Sequence, residues 1–172
     1  MTTIAKSHRI IPESPQHLVA IEALLDKAFG PGRFARTAYR LREGISPLPE
    51  LSFVAERDGD VIGAVRFSPV VIGDAPVLLL GPLAVHPDYK NQGYGLALMR
   101  AGLDAARQRG HCRVMLVGDE PYYARAGFAA LPAGQVTMPG PVDPARLLAL
   151  ALVPDAWAGV SGPARPMPAA VP

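Results

Sequence analysis

The sequence predicts an α+β domain with a mixed sheet, and three stretches carry that prediction. Leu51 to Phe67 reads as a β-hairpin, Ala75 to Val117 as a strand, helix and strand, and Ile21 to Gly44 as a pair of short helices. A hairpin gives antiparallel pairing, whereas a crossover helix makes the strands it joins parallel. At 172 residues with 49% hydrophobic content, the chain can bury one sizeable core. We expect a single domain over residues 1–160 and a proline-rich tail over 161–172.

In the helical zone, Leu18, Ile21, Leu25 and Ala28 recur at helical spacing, as do Phe34, Ala38 and Leu41 beyond the Gly30-Pro31-Gly32 break. Packing against a sheet is the first expected use of both faces, and service as a lid or substrate wall is compatible with it. In the hairpin, strands Leu51 to Glu56 and Val61 to Phe67 flank an Asp58-Gly59 turn. Ala75 to Val85 follows as a strand interrupted by Gly81-Pro82, and proline within a central strand predicts a bulge or a local loss of pairing. After it, Leu96, Met99, Leu103 and Ala106 share one helical face, with Arg100, Asp104, Arg107 and Gln108 towards the other. Gly110 reads as the helix stop and Val114 to Val117 as a buried strand. Arg146 to Val153 reads as a further strand at the sheet edge, Trp157 as an anchor, and Pro163 to Pro172 as a loosely ordered or surface-hugging tail.

Composition narrows the partners. The net charge of +2 comes from 17 basic and 15 acidic residues without a run of one sign, which argues against a broad nucleic-acid surface. Apolar runs such as Leu147 to Val153 fall far short of the ~18 residues of a membrane span, and Met1 to Arg9 lacks the apolar core of a secretory signal. Cys112 is the only cysteine, which excludes an internal disulfide and a multi-cysteine metal site. The expectation is a cytoplasmic protein of small-molecule chemistry, with no metal, membrane or nucleic acid involved. Cys112 is expected to be inert.

The segment His86-Pro87-Asp88-Tyr89-Lys90-Asn91-Gln92-Gly93-Tyr94-Gly95 joins the Ala75–Val85 strand to the long helix. A glycine-bearing turn opening a helix aims several backbone N–H groups at one point and binds phosphate. It is not a P-loop, because Leu96 and Ala97 stand where Lys-Ser or Lys-Thr would have to follow. A dinucleotide fingerprint would need glycine at Leu98.

This segment resembles the cofactor motif of the GNAT (Gcn5-related) N-acetyltransferases, Gln/Arg-x-x-Gly-x-Gly/Ala after a strand closing in Val-x-Pro. Here Val85-His86-Pro87 precedes Lys90-Asn91-Gln92-Gly93-Tyr94-Gly95, with Lys90 replacing the usual Gln or Arg. Pro121-Tyr122-Tyr123-Ala124-Arg125-Ala126-Gly127-Phe128 is similar to the family's second motif, aromatic-Tyr-x-x-x-Gly-Phe, in the family's order. Together they look most like the bacterial YhbS-like branch of predicted acetyltransferases.

The resemblance implies a three-layer GNAT acyl-CoA N-acyltransferase fold, with a mixed, mostly antiparallel sheet of about six or seven strands flanked by roughly four helices. It implies acetyl-CoA as cosubstrate and a primary amine as acceptor, with direct attack in a ternary complex. Backbone groups of Asn91, Gln92, Gly93, Tyr94, Gly95 and Leu96, with Lys90, would hold the pyrophosphate, and Arg125 a further phosphate. Leu83, Ala84 and Val85 would pair with the pantetheine arm, the N–H near Leu83 facing the thioester oxygen. Tyr123 matches the general acid that serves the departing sulfur, while Tyr122 is read as packing. The family's strand carboxylate is missing between Gly81 and Ala84, which leaves Glu56, His86, Asp119, Glu120 or an ordered water as base. A CoA-binding module without catalysis, a longer acyl group and a homodimer are the alternatives the sequence leaves open.

Overall fold

The structure is a computed structural model and describes residues 8–167. Its strands are β1 (His8–Pro12), β2 (Phe53–Arg57), β3 (Asp60–Ile72), β4 (Ala75–Val85), β5 (Arg113–Val117), β6 (Ala129–Ala130), β7 (Val136–Thr137), β8 (Leu147–Ala151) and β9 (Gly162–Pro166). The helices are α1 (Leu18–Phe29), α2 (Thr37–Arg40), α3 (Tyr94–Gln108) and α4 (Glu120–Tyr123). The main sheet runs β1-β2-β3-β4-β5-β8-β6, and β9 joins the far end of β3 and carries β7 on its other side. Along the main path only β4 and β5 pair in parallel, as the crossover through α3 requires.

The hairpin forms because Asp58 (φ 53°) and Gly59 (φ 88°) both take left-handed conformations. Two such central residues make the turn whose twist matches the flanking strands. Helix α3 buries Leu98, Met99, Leu103 and Ala106 against Val65, Phe67, Leu78 and Leu80 on one face of the sheet. Helix α1 covers the other face, where Ile21, Leu24 and Leu25 meet Val54, Ala64 and Ala84. Layers of helix, sheet and helix result.

The Gly81-Pro82 interruption is a bulge. Phe67 pairs with Leu80 and Val65 with Leu83, so three steps along β4 match two along β3. Side chains alternate faces along a strand, so one extra residue reverses the alternation. Before the bulge Leu78 and Leu80 face α3; after it Leu83 and Val85 join that cluster while Ala84 turns to α1.

Three expectations are corrected. The second helix is a 3-10 turn over Pro31–Ala35 followed by the single turn α2. Phe34 is 61% exposed, whereas Arg33 is buried. It is held by Asp26 and Glu22 of α1, a compensation that its local pattern does not encode. The strand β8 is not the edge, because β6 pairs beyond it. The start of the tail is ordered: β9 pairs with β3 and β7, and its prolines keep their carbonyls as acceptors, Gly73 N–H donating to Pro163 O at 3.2 Å. The rest of that tail, 168–172, lies outside the described residues. Trp157 anchors the turn after β8 by donating from Nε1 to Leu150 O at 3.1 Å.

Candidate active site

β4 and β5 pair only at Leu78 with Val114 and at Leu79 with Met115, then part company. Beyond that point β4 continues to Val85 without a neighbouring strand on this side among the described residues, and the gap becomes a cavity. The His86 N–H donates to Ile62 O on β3 at 2.7 Å. Polar backbone groups alternate in direction along a strand, so Ala84 also addresses β3, while Leu83 and Val85 turn their N–H and C=O groups to the gap. Leu83 is thus well placed to offer an N–H to an oxyanion. Ala84 is not a gap residue: its backbone faces β3 and its side chain is buried under α1.

The gap opens at one end onto the start of α3. There Asn91 (φ 61°) and Gly93 (φ 87°) are both left-handed, a curl that turns successive N–H groups inward. The first helical hydrogen bond runs from Ala97 N–H to Gly93 O at 3.0 Å, so the N–H groups of Tyr94, Gly95 and Leu96 precede the helical ladder. A cavity of about 390 Å³ collects Leu83, Val85, Lys90, Asn91, Gly93, Gly95, Leu96 and Arg125, with Tyr94 at its wall. Gln92 is set apart from it, accepting from Arg57 and donating to Asp88 O, both at 3.4 Å.

Tyr123 belongs to this cavity and to a larger one of about 940 Å³ on the other side of Leu83. Its ring packs edge-on to Tyr122 at 4.9 Å and to Phe128 at 6.1 Å between centroids. Burial, helped by Tyr122 and Asp119 and opposed by Arg146, pushes its phenol up to about 12. It is therefore a neutral O–H donor throughout the physiological range. Tyr122, read from sequence as packing, is 37% exposed and lines both cavities, its hydroxyl lying against Gly95 at the mouth of α3.

Of the four candidate bases, only Asp119 lines the larger cavity, where Arg146 Nε lies 3.3 Å from its carboxylate. Glu56 is committed elsewhere, accepting from Arg9 at 2.9 Å and lying 3.2 Å from the buried His17. His86 accepts the Asp88 N–H at 3.1 Å and caps the turn. Glu120 lies in the first turn of α4, whose N-cap is Asp119. Cys112 sits 3.8 Å from Gly110 O at the far end of α3, away from both cavities.

Three residues that the sequence did not single out, Arg42, Thr37 and Arg40, help to complete the larger cavity. Arg42 stacks over Tyr39 at 4.8 Å and brings a terminal nitrogen beside Gly81, and burial pulls its guanidinium down to about 10. The wall opposite is fixed by Thr37 Oγ1 donating to Pro141 O at 2.6 Å and by Arg40 donating to Pro139 O at 3.1 Å. A local sequence signal exists for none of the three, because Arg42 is placed against Gly81 and Tyr39, and Thr37 and Arg40 against the Pro139 to Pro141 segment, by the tertiary fold.

Among the described residues no helix is long and apolar enough to cross a membrane, and no cluster of His, Cys, Asp or Glu is built to hold a metal. Residues 18–128 match the Acetyltransferase (GNAT) family. The chain is 33% identical to the uncharacterized N-acetyltransferase YhbS of Escherichia coli K12 over 153 residues, covering 87% of this chain and 90% of that protein. The crystal structure of E. coli YhbS in complex with CoA superposes with a TM-score of 0.81 at 32% identity, covering 97% of this chain and 93% of that one. A GNAT family acetyltransferase from Brucella melitensis, in complex with acetyl-CoA, gives a TM-score of 0.62 at 35% identity over 84% of this chain and 96% of that one. A parted pair of strands, an N–H curl at a helix start and a tyrosine between two cavities are thus joined by likeness of sequence and of fold, and the chain belongs to the GNAT family of acetyltransferases.

Proposed function

We propose that this acetyltransferase takes the acetyl group of acetyl-CoA to a primary amine by direct attack in a ternary complex. The observation that carries the reading is the β4–β5 gap, which joins the N–H curl before α3 to the Leu83 N–H and the Tyr123 hydroxyl. Diphosphate on the curl gains from unpaired N–H donors and the positive end of the helix dipole, with Lys90 and Arg125 adding charge. The pantetheine arm runs along the free edge of β4 at Leu83 and Val85.

The amine nitrogen attacks the thioester carbon, and the Leu83 N–H donates to the oxygen as it gains charge. The C–S bond then breaks and the sulfur leaves with the electron pair. A thiol has a pKa of roughly 8.5, so a phenol near 12 stabilises the thiolate by donating a hydrogen bond and surrenders its proton only as another arrives. The nitrogen loses two protons, one from the ammonium before attack and one from the tetrahedral intermediate. Asp119 or a water relays them, one leaving to solvent and the other ending on the released thiol. The lone Cys112 and the soluble cosubstrate favour a cytoplasmic setting.

Initial rates with acetyl-CoA and amine varied together test the order of events. Intersecting double-reciprocal lines are expected of a ternary complex; parallel lines would mean an acetyl-enzyme intermediate.

A further inference from the structure

The larger cavity lies on the side of Leu83 away from the phosphate curl, where the acceptor must enter under the reading above, and its charge is unbalanced. Asp119 is taken by Arg146, and the Asp143 carboxylate accepts the Ala145 N–H. Arg36, Arg40 and Arg42 also line this cavity, and none of them has a carboxylate partner among the described residues; Lys90 lines both cavities and is given to the diphosphate.

Arg42 is the sharpest case. Its neighbours Arg33 and Arg66 are each neutralised: Asp26 and Glu22 bind Arg33, and Glu13 and Glu22 bind Arg66. The nearby acidic groups of α1 are thereby used up. Arg42 Nε is buried with no hydrogen-bond partner, and so is the hydroxyl of Tyr39 beneath its guanidinium. A cationic Nε withdrawn from water without a partner is costly to the free protein, unless a ligand brings a compensating charge to the half-buried guanidinium. Burial lowers its affinity for its proton but leaves it a cation at neutral pH.

Its position says which part of a ligand that would be. Arg42 stands beside Gly81, at the bulge of β4 that immediately precedes Leu83, and both Gly81 and Leu83 line the larger cavity. An anion held there lies a few bonds from an amine at the Leu83 N–H. The phosphates belong at the other mouth, beside Gly93 and Gly95, with Tyr122 and Tyr123 between the two ends.

We propose that the acceptor carries a carboxylate close to its amine, as a small amino acid does, and that Arg42 binds that carboxylate. The planar guanidinium suits a carboxylate through two parallel N–H donors. This inference rests on the acetyl-transfer reading for the identity of the reacting amine, and its test is a binding measurement that needs no turnover.

The probes are the L-amino acids and their carboxamides, titrated calorimetrically into the CoA-loaded protein. At least one acid is expected to bind about 30-fold more tightly than its own carboxamide. That preference should shrink to about threefold or less in Arg42→Met and be partly kept in Arg42→Lys. The acid-to-amide comparison in the unmodified protein stands even where a variant folds poorly. The proposal is overturned when no acid outbinds its amide, or when the preference persists in Arg42→Met. Release of free CoA with the same pairs separates the two readings. Arg42-dependent acid binding without CoA release keeps the carboxylate site and removes the transfer reaction. Release driven equally by acids and amides, indifferent to Arg42, does the reverse.

Discussion

The hydroxyl of Tyr122 lies against Gly95, in the space where a side chain on that glycine would begin. The contact joins the α4 motif to the first turn of α3, so the two segments that signal the family in sequence touch each other in space. Gly95 is also one of the residues whose N–H precedes the helical ladder, and a Cβ there would compete both with Tyr122 and with a phosphate.

Gly95→Val is therefore expected to lower acetyl-CoA affinity at least about 100-fold by calorimetry, a loss of about 2.7 kcal/mol. Combining it with Tyr122→Ala distinguishes the two causes. If crowding of the phosphate dominates, the double variant stays weak; if displacement of Tyr122 dominates, most of the affinity returns.

Tyr123→Phe removes the hydroxyl proposed to serve the departing sulfur and keeps the ring that packs on Phe128. The expected result is a fall in kcat of well over tenfold with the Kd for acetyl-CoA unchanged within about twofold. With the phenol at about 12, Tyr123 should impose no alkaline limb on kcat below about pH 10. A tyrosine-dependent fall between pH 8 and 9 would contradict that placement.

Glu56 ties β1 to the sheet through Arg9 and meets His17 before α1. The hydrogen bonds from Arg9 first, then His17, hold its carboxyl below the ordinary 4.5, against the effect of burial. A carboxylate depressed in this way stabilises the fold above its unfolded pKa and ceases to do so as pH falls through the lower folded value. Glu56→Gln should consequently melt at a lower temperature than the parent at pH 7, and the difference should narrow as pH drops below about 4.5. Thermal unfolding at several pH values measures it.

Leu98 is fully buried in the α3 face of the core, and the helix it anchors presents the N–H curl. Leu98→Ala should cost about 2–5 kcal/mol in denaturant unfolding. Its effect on acetyl-CoA affinity should be small once the variant is folded, since Leu98 does not line either cavity.

Local patterns made much of this legible. The strand Ala75–Val85, the Asp58-Gly59 turn and the bulge at Gly81-Pro82 are readable because each depends on adjacent residues and on period-two alternation. The curl before α3 was equally plain in its glycines. By contrast, β1 is five residues long and pairs with a strand starting at Phe53, and β9 contains Pro163 and Pro166, which read as breakers until pairing partners are known. Arg33 and Arg42 look alike in sequence, two arginines of one helical zone. Only the tertiary arrangement gives Arg33 its carboxylates and leaves Arg42 without any among the described residues. Leu83, Ala84 and Val85 could be placed as a group, but which of them faces the gap follows from the His86 to Ile62 hydrogen bond.

The most direct measurement of the central claim is the initial rate of free CoA release from acetyl-CoA across a panel of primary amines, with the N-acetyl product identified by mass spectrometry. The account predicts release that saturates with one class of amine and yields one N-acetyl product per CoA. Tight acetyl-CoA binding with no amine raising release above the hydrolytic background would contradict it.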